Sequence, residues 1–245
     1  MTESDSGVAG GDASALPGYA VTAITPDETT SVAAAMLIAM LAHQGANVAA
    51  MVPVETGLDD PCEPGSRGAL IRWAAGHLDD PRHVTPFALE AERSAMLAAD
   101  ASGTLLHGAA FERAREALSE GRTVLVVADA VGLLDPITPS LTMLDLLARW
   151  SLDVLIVEPV SRWSVGHVRL LAASVTARGL RVRGVILSGQ QPPHALDDDD
   201  IMALRETIAA LLDCPVVLLP QVQSFHDRGE LLTAADSCGL QRVIS

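Results

Sequence analysis

The 245-residue chain contains no lysine: all sixteen of its basic residues are arginine. A loop that holds a nucleotide triphosphate normally relies on a lysine ammonium, and arginine's broad planar fork is not an equivalent. Aromatic residues are almost as scarce, at 3%, so any core must be aliphatic. Cysteine occurs three times, at Cys62, Cys214 and Cys238. The odd count and the absence of Cys-x-x-Cys spacing exclude a disulfide framework and a zinc ribbon, and they fit a reducing cytoplasm. No apolar run reaches the ~18 residues that a membrane helix needs. The N-terminus has neither a basic stretch nor an apolar one, so no secretory signal is expected. Acids outnumber bases, giving a net charge of −15 and a pI near 4.7, which argues against nucleic acid and anionic membranes as partners. The seven histidines (His43, His77, His83, His107, His167, His194 and His226) show no metal-ligand spacing. Neither a Gly-x-Ser-x-Gly elbow nor a Gly-x-Gly-x-x-Gly turn occurs.

What is present is an alternation of buried strands and helices. Apolar residues make up 49% of the chain, enough for one large α/β domain. Residues 1–18 are Gly, Ser, Ala and Asp with little to bury, and read as a disordered leader. Residues 19–245 then form the single domain. Strands are expected over residues 19–23, 48–54, 123–128, 154–157, 182–187 and 216–219. Helices are expected over 30–45, 69–75, 89–99, 109–119, 142–148, 166–177, 201–212 and 229–235, with loop over 81–86. The strand at 123–128 is apolar throughout, as in a parallel sheet covered on both faces. The sum is a doubly wound α/β fold with a mostly parallel sheet and helices on both faces. Ligands in such folds sit beyond the carboxyl ends of the strands. Those ends carry residues 24–31, 55–57, 129–135, 158–166 and 188–191. The four aspartates at 197–200 are expected to start a helix rather than to bind a metal.

The chain is organised around residues 19–36, a buried strand, a polar turn and an apolar helix. A phosphate loop at this place needs glycines, so that backbone N–H groups can close on the anion, then Lys and Ser/Thr. Here the glycine positions hold Ala23 and Thr29, the lysine position holds Thr30, and Ser31 alone fits as the metal-side hydroxyl. Thr29 would tolerate a glycine-type positive φ poorly. Asp27 and Glu28 are expected to cap the helix and complement its dipole, and they would repel a polyphosphate.

The order of motifs resembles the dethiobiotin synthetase family, P-loop enzymes that close a ureido ring in biotin synthesis with ATP, Mg²⁺ and CO₂. The family's G-T-D-T-x-V-G-K-T lies over AITPDETTS at 23–31, and its K-P-V-x-[ST]-G over VPVETG at 52–57. Its E-G-A-G-G lies over ADAVG at 128–132, continuing through Leu133, Leu134, Asp135, Pro136 and Ile137. The G-x-I-N-H segment is matched by Val165, Gly166 and His167, the A-R-G-L segment by residues 177–180, and G-V-I-L-N by residues 184–188. The substrate-side S-P-H-x-A-A is traced in SAMLAA at 94–99.

The departures fall where the family does its chemistry. Thr30 and Val52 stand at the two lysines, Ala128 at the metal carboxylate with Asp129 one residue on, Gly68 at a metal-loop Asp beside Arg67, and Ser188 at the adenine-side Asn. The resemblance therefore implies a dethiobiotin synthetase-like protein whose catalytic positions hold Thr30, Val52 and Ala128. Its vestigial phosphate loop would be Ala23, Thr25, Asp27, Glu28, Thr29, Thr30 and Ser31, with Thr56, Gly57 and Ser94 on the substrate side. No cofactor is then expected, and the protein would serve a partner. An active alternative would use ATP and Mg²⁺, with Arg67, Arg72 or Arg162 as replacement cations and Ser31 with Asp129 or Asp135 at the metal. A further alternative is a structural or regulatory subunit. The family's homodimer, or docking to the preceding aminotransferase or another biotin enzyme, would draw on Trp150, Trp163 and Val165.

Overall fold

The protein is described as a computed structural model over residues 16–61, 63–76, 79–189, 196–222 and 224–244. Residues 1–15 of the expected leader, together with Cys62, His77, Gln191 and His194, lie outside the described residues. In chain order the elements are β1 (Gly18–Thr22), α1 (Glu28–His43), β2 (Val48–Met51), β3 (Val54–Thr56), α2 (Arg67–Ala75), α3 (Pro81–Val84), β4 (Phe87–Leu89), α4 (Ala95–Ser102) and α5 (Gly108–Ser119). They continue with β5 (Val124–Ala128), β6 (Pro136–Thr138), β7 (Leu141–Thr142), α6 (Met143–Arg149), β8 (Asp153–Pro159), α7 (Ser164–Ala177), β9 (Val182–Ser188), α8 (Asp198–Leu212), β10 (Val216–Leu218) and α9 (Arg228–Cys238).

Six strands form one sheet in the order β10-β9-β8-β1-β5-β2, every pairing parallel. The chain moves one way along the sheet from β1 to β2 and the other way from β8 to β10. With right-handed crossovers, α1 and the pair α7–α8 lie on opposite faces. Twelve consecutive residues of α1, Thr30 to Leu41, are buried. The reason is that α1 is enclosed by the sheet, α2 and α9, which is why its sequence is apolar all round.

Several expectations about elements need correction. The strand expected over 48–54 is two strands, because Pro53 interrupts it and β3 turns away to pair with β4 in a small parallel sheet. The loop expected over 81–86 contains α3, started by Asp80 as N-cap with Pro81 in the first turn. The helix expected over 89–99 is wrong at its start: residues 87–89 are β4, and α4 begins only at Ala95. Pairing with β3 holds residues 87–89 as a strand. A short antiparallel ribbon, β6–β7, was not expected. Trp150 is not an exposed docking residue: it is 2% exposed and its Nε1 donates to Glu112 Oε1 at 2.9 Å.

Candidate functional site

The crossover direction reverses between β1 and β8, so a doubly wound sheet of this order opens its ligand crevice there. The turn from β1 into α1 forms its floor. Asp27 is the N-cap of α1: its Oδ1 accepts from Thr29 N at 2.9 Å, Thr30 N at 3.3 Å and Thr29 Oγ1 at 2.5 Å. Thr30 Oγ1 accepts in return from Asp27 N at 3.3 Å, closing a capping box. The N-terminal amides that would face an anion are held instead by the protein's own carboxylate. Thr29 and Thr30 lie inside the first turn of α1, and neither has a positive φ. The strain expected at Thr29 is therefore absent, because the helix starts two residues earlier than expected. Thr29 Oγ1 also lies 3.3 Å from Ser188 Oγ at the end of β9, which ties the turn to the far side of the crevice. Thr25 is exposed and Ala23 buried.

Asp129, just past β5, is 1% exposed. Its Oδ2 accepts from Thr22 Oγ1 at 2.6 Å, and its Oδ1 from Val131 N and Gly132 N, both at 3.0 Å. Burial pushes this carboxyl above the ordinary aspartate range, against those donors and the Arg67 charge. Gly132 has φ +111°, and a Cβ there would lie 3.0 Å from Ile24 O. The loop after β5 is thus packed directly on the β1–α1 turn. Ala128, the position of the family's metal carboxylate, is fully buried in the strand end.

The third component is Arg67 at the start of α2. Its Nη2 donates to Pro26 O at 3.3 Å, and its charge bears on both Asp129 and Glu55. Glu55, in β3, caps α2: Oε1 accepts from Arg67 N at 2.6 Å and Oε2 from Gly68 N at 3.1 Å. Burial raises the Glu55 pKa, the two backbone donors and Arg67 opposing it. A Cβ on Gly68 would meet Thr85 Oγ1 at 2.1 Å, so a side chain at that position requires the Thr85 hydroxyl to move.

Of the three candidate cations, then, Arg67 alone reaches the turn. Arg72 Nε is bound to Asp79 O at 2.6 Å, and the Arg162 guanidinium stacks on Trp163 at 4.4 Å. Val52 is buried, its N–H donating to Val84 O at 2.8 Å. Thr56 ends β3, and Gly57, with φ +88°, donates its N–H to Leu89 O at 2.8 Å. Ser94 is the N-cap position of α4 but makes no side-chain cap bond. Asp135 is half-buried, and burial raises its pKa. His167 is hydrogen-bonded through Nδ1 to the buried Glu158 at 2.9 Å, and Trp163 is exposed. Among the described residues no group of three or more His, Cys, Asp or Glu could hold a metal ion, and no helix is long and apolar enough to cross a membrane.

Sequence reasoning missed two cavities and the role of Glu55. One cavity, about 350 Å³, opens beside the turn and is lined by Asp27, Glu28, Thr29, Ser188, Leu219 and Phe225 among others. The other, about 260 Å³, lies between α1, α2 and the 225–226 segment. Part of each wall comes from residues 219–222 or 225–226, in a stretch with no pattern of its own. Glu55 carried a signal: it is the one charged residue in β3.

The fold is that of the P-loop nucleoside-triphosphatases. A MinC:MinD cell division complex of Aquifex aeolicus superposes with TM-score 0.52 at 12% identity, covering 94% of this chain and 93% of that one. A ParA family ATPase of Chlorobium tepidum TLS gives 0.50 at 13% identity, covering 93% and 95%. An AAA domain family model matches residues 18–224. The ATP-dependent dethiobiotin synthetase BioD of Anaeromyxobacter dehalogenans strain 2CP-C is 31% identical over 86% of this chain and 93% of its own length. The corresponding protein of Caulobacter sp. strain K31 is 27% identical over 88% and 93%. The chain belongs to the dethiobiotin synthetase family.

Proposed function

We propose that this is a dethiobiotin synthetase-like protein of biotin biosynthesis that no longer performs the ATP-dependent ring closure and is retained for binding a partner or ligand. The observation that carries this reading is the Asp27 carboxylate seated on the Thr29 and Thr30 amides at the start of α1. A polyphosphate at that place would have to displace a covalently tethered anion. The residues present do not fit a magnesium–triphosphate in other respects either. Threonine and valine stand at the two lysine positions, alanine at the metal carboxylate, and Asp129 has both oxygens engaged inside the protein. Each charge-assisted hydrogen bond lost is worth about 1.5–3 kcal/mol. Losing three therefore costs on the order of 5 kcal/mol or more, over a thousandfold in affinity.

One observation favours the active alternative, in which ATP and Mg²⁺ are used with relocated cations: Arg67 does reach the turn, through Pro26 O. Calorimetry separates the two readings. The expected outcome is no heat of binding with ATP·Mg²⁺ at millimolar nucleotide, and no rescue of a biotin auxotroph lacking its own synthetase. A micromolar dissociation constant, or rescue, overturns the proposal.

A further inference from the structure

A carboxyl group with no part in the crevice lies beneath the start of α7. Glu158, in β8, is 2% exposed. Its Oε1 lies 2.9 Å from Nδ1 of His167, in the first turn of α7, and the His167 side chain is 45% exposed. A carboxylate taken out of water needs a compensating charge or a proton. Burial pushes Glu158 above the ordinary glutamate range, with the His167 bond and charge, then the Ser164 hydroxyl, acting against it. Ser164 gives weak support, since its Oγ also donates to Pro159 O and Ser161 O, both at 2.9 Å.

The elements packed around Glu158 bring no second counter-charge. Among the described residues His167 is the only charge that bears on it. On α7, Arg169 is exposed, and Arg162, just before the helix, stacks on Trp163. On β9, Arg183 lies toward the opposite end of the strand, 3.8 Å from Asp153. On β1 the one titratable group is Tyr19, also at the far end, its hydroxyl donating to Ile244 O. The acids in the first turn of α8, Asp198, Asp199 and Asp200, are exposed. Glu28 begins α1, on the other face of the sheet.

The stretch from Glu158 to His167 is tied to the crevice wall. Val160 N donates to Ser188 O at 3.1 Å and Trp163 N to Ser161 Oγ at 3.2 Å. Pro159 and Ser188 both line the 350 Å³ cavity. Of these ties, only the one between Glu158 and His167 exchanges a proton near neutral pH.

We propose that Glu158 and His167 form a proton-operated latch on residues 159–166. With one proton held between carboxyl and imidazole the pair is neutral overall and pins the start of α7 to β8. Loss of that proton leaves an uncompensated carboxylate beneath the helix and frees the turn. The closed form holds the proton more tightly than a chain in which Glu158 meets water, so its grip is full at low pH and weakens as pH rises. The latch operates whether or not the crevice takes a nucleotide.

The test is hydrogen exchange on the full chain at pH 6 and pH 8.5, with exchange times scaled for the intrinsic pH dependence of amides. In the wild type, the amides of residues 160–167 are expected to lose about tenfold in protection at the higher pH, the effect of about one pKa unit of difference between closed and open forms. Those of β5 are expected to keep theirs. Glu158→Gln keeps the shape and removes the charge, so protection should stay high at both pH values. His167→Gln keeps a donor but has no proton to lose, so protection should be low at both; it is the decisive variant should Glu158→Gln fail to fold. A wild type without the step, a step of the same size in either folded variant, or an equal loss across β5 would each overturn the proposal.

Discussion

The two sides of the crevice have been treated differently by the sequence. On the phosphate side, three carboxyl groups are folded back into the protein. Asp27 caps α1, Asp129 ties Thr22 to the following loop, and Glu55 caps α2. On the base side, the space beyond β9 and β10 remains open as a cavity of about 350 Å³ with Leu219, Pro220, Val222 and Phe225 in its wall. Carboxylates can satisfy backbone donors within their own chain, so a site built from charge can close on itself. The apolar part of that wall has no such internal partner and stays open. The difference teaches that carboxyl groups satisfied within the chain and an apolar recess can lie side by side in one crevice.

The sharpest way to break this comparison is at Asp129. If its carboxylate serves the fold, Asp129→Ala leaves Thr22 Oγ1 and the N–H groups of Val131 and Gly132 without acceptors inside the protein. The expected loss is about 3 kcal/mol or more by urea denaturation. A loss below about 0.5 kcal/mol, the range of ordinary surface substitutions, would mean that this side is not closed. Asp27→Ala removes a capping box at a half-buried position, and a loss of about 1 kcal/mol is expected. The same variant should also begin to admit inorganic phosphate at the freed amides, detectable as a phosphate-dependent rise in melting temperature that the wild type lacks.

The smallest effect concerns pH. Burial raises the Glu55 pKa above the ordinary glutamate range, so the folded state holds this proton more tightly than the unfolded chain. Its contribution to stability is fully present below the unfolded value and is lost as pH rises through the folded one. The stability difference between wild type and Glu55→Gln should accordingly favour the wild type more at pH 4.5 than at pH 7, as read from urea midpoints. The opposite slope would mean that the Arg67 and Gly68 donors outweigh burial.

Much of the fold was legible because its signals are local or periodic. The apolar run at Val124–Ala128 could only be a strand buried on both faces. Likewise, Asp27 and Asp197 announced the helices they cap. Residues 87–89 were misread because a three-residue strand has too few positions to show a period of two, and its partner β3 is 33 residues away. For Trp150 the sequence left docking and core packing both open, because a lone tryptophan looks the same whether its indole meets solvent or Glu112. At the site, the replacement of lysine by Thr30 and of a glycine by Thr29 was plain in the sequence. That Arg67 would reach the turn while Arg72 and Arg162 would not depends on where α2 is anchored, which Glu55 decides from another strand.

The sequence by itself determined the alternation of strands and helices, the aliphatic core, and the absence of any lysine to meet a phosphate. These follow from residue type and spacing along one chain. Only the tertiary structure decided that Asp27, Asp129 and Glu55 turn their carboxyl groups onto neighbouring backbone, and that Arg67 of α2 reaches the β1–α1 turn at Pro26 O. Hydrogen bonds saturate by proximity, and proximity between residues 22 and 129, or 26 and 67, exists only after the sheet has brought them together.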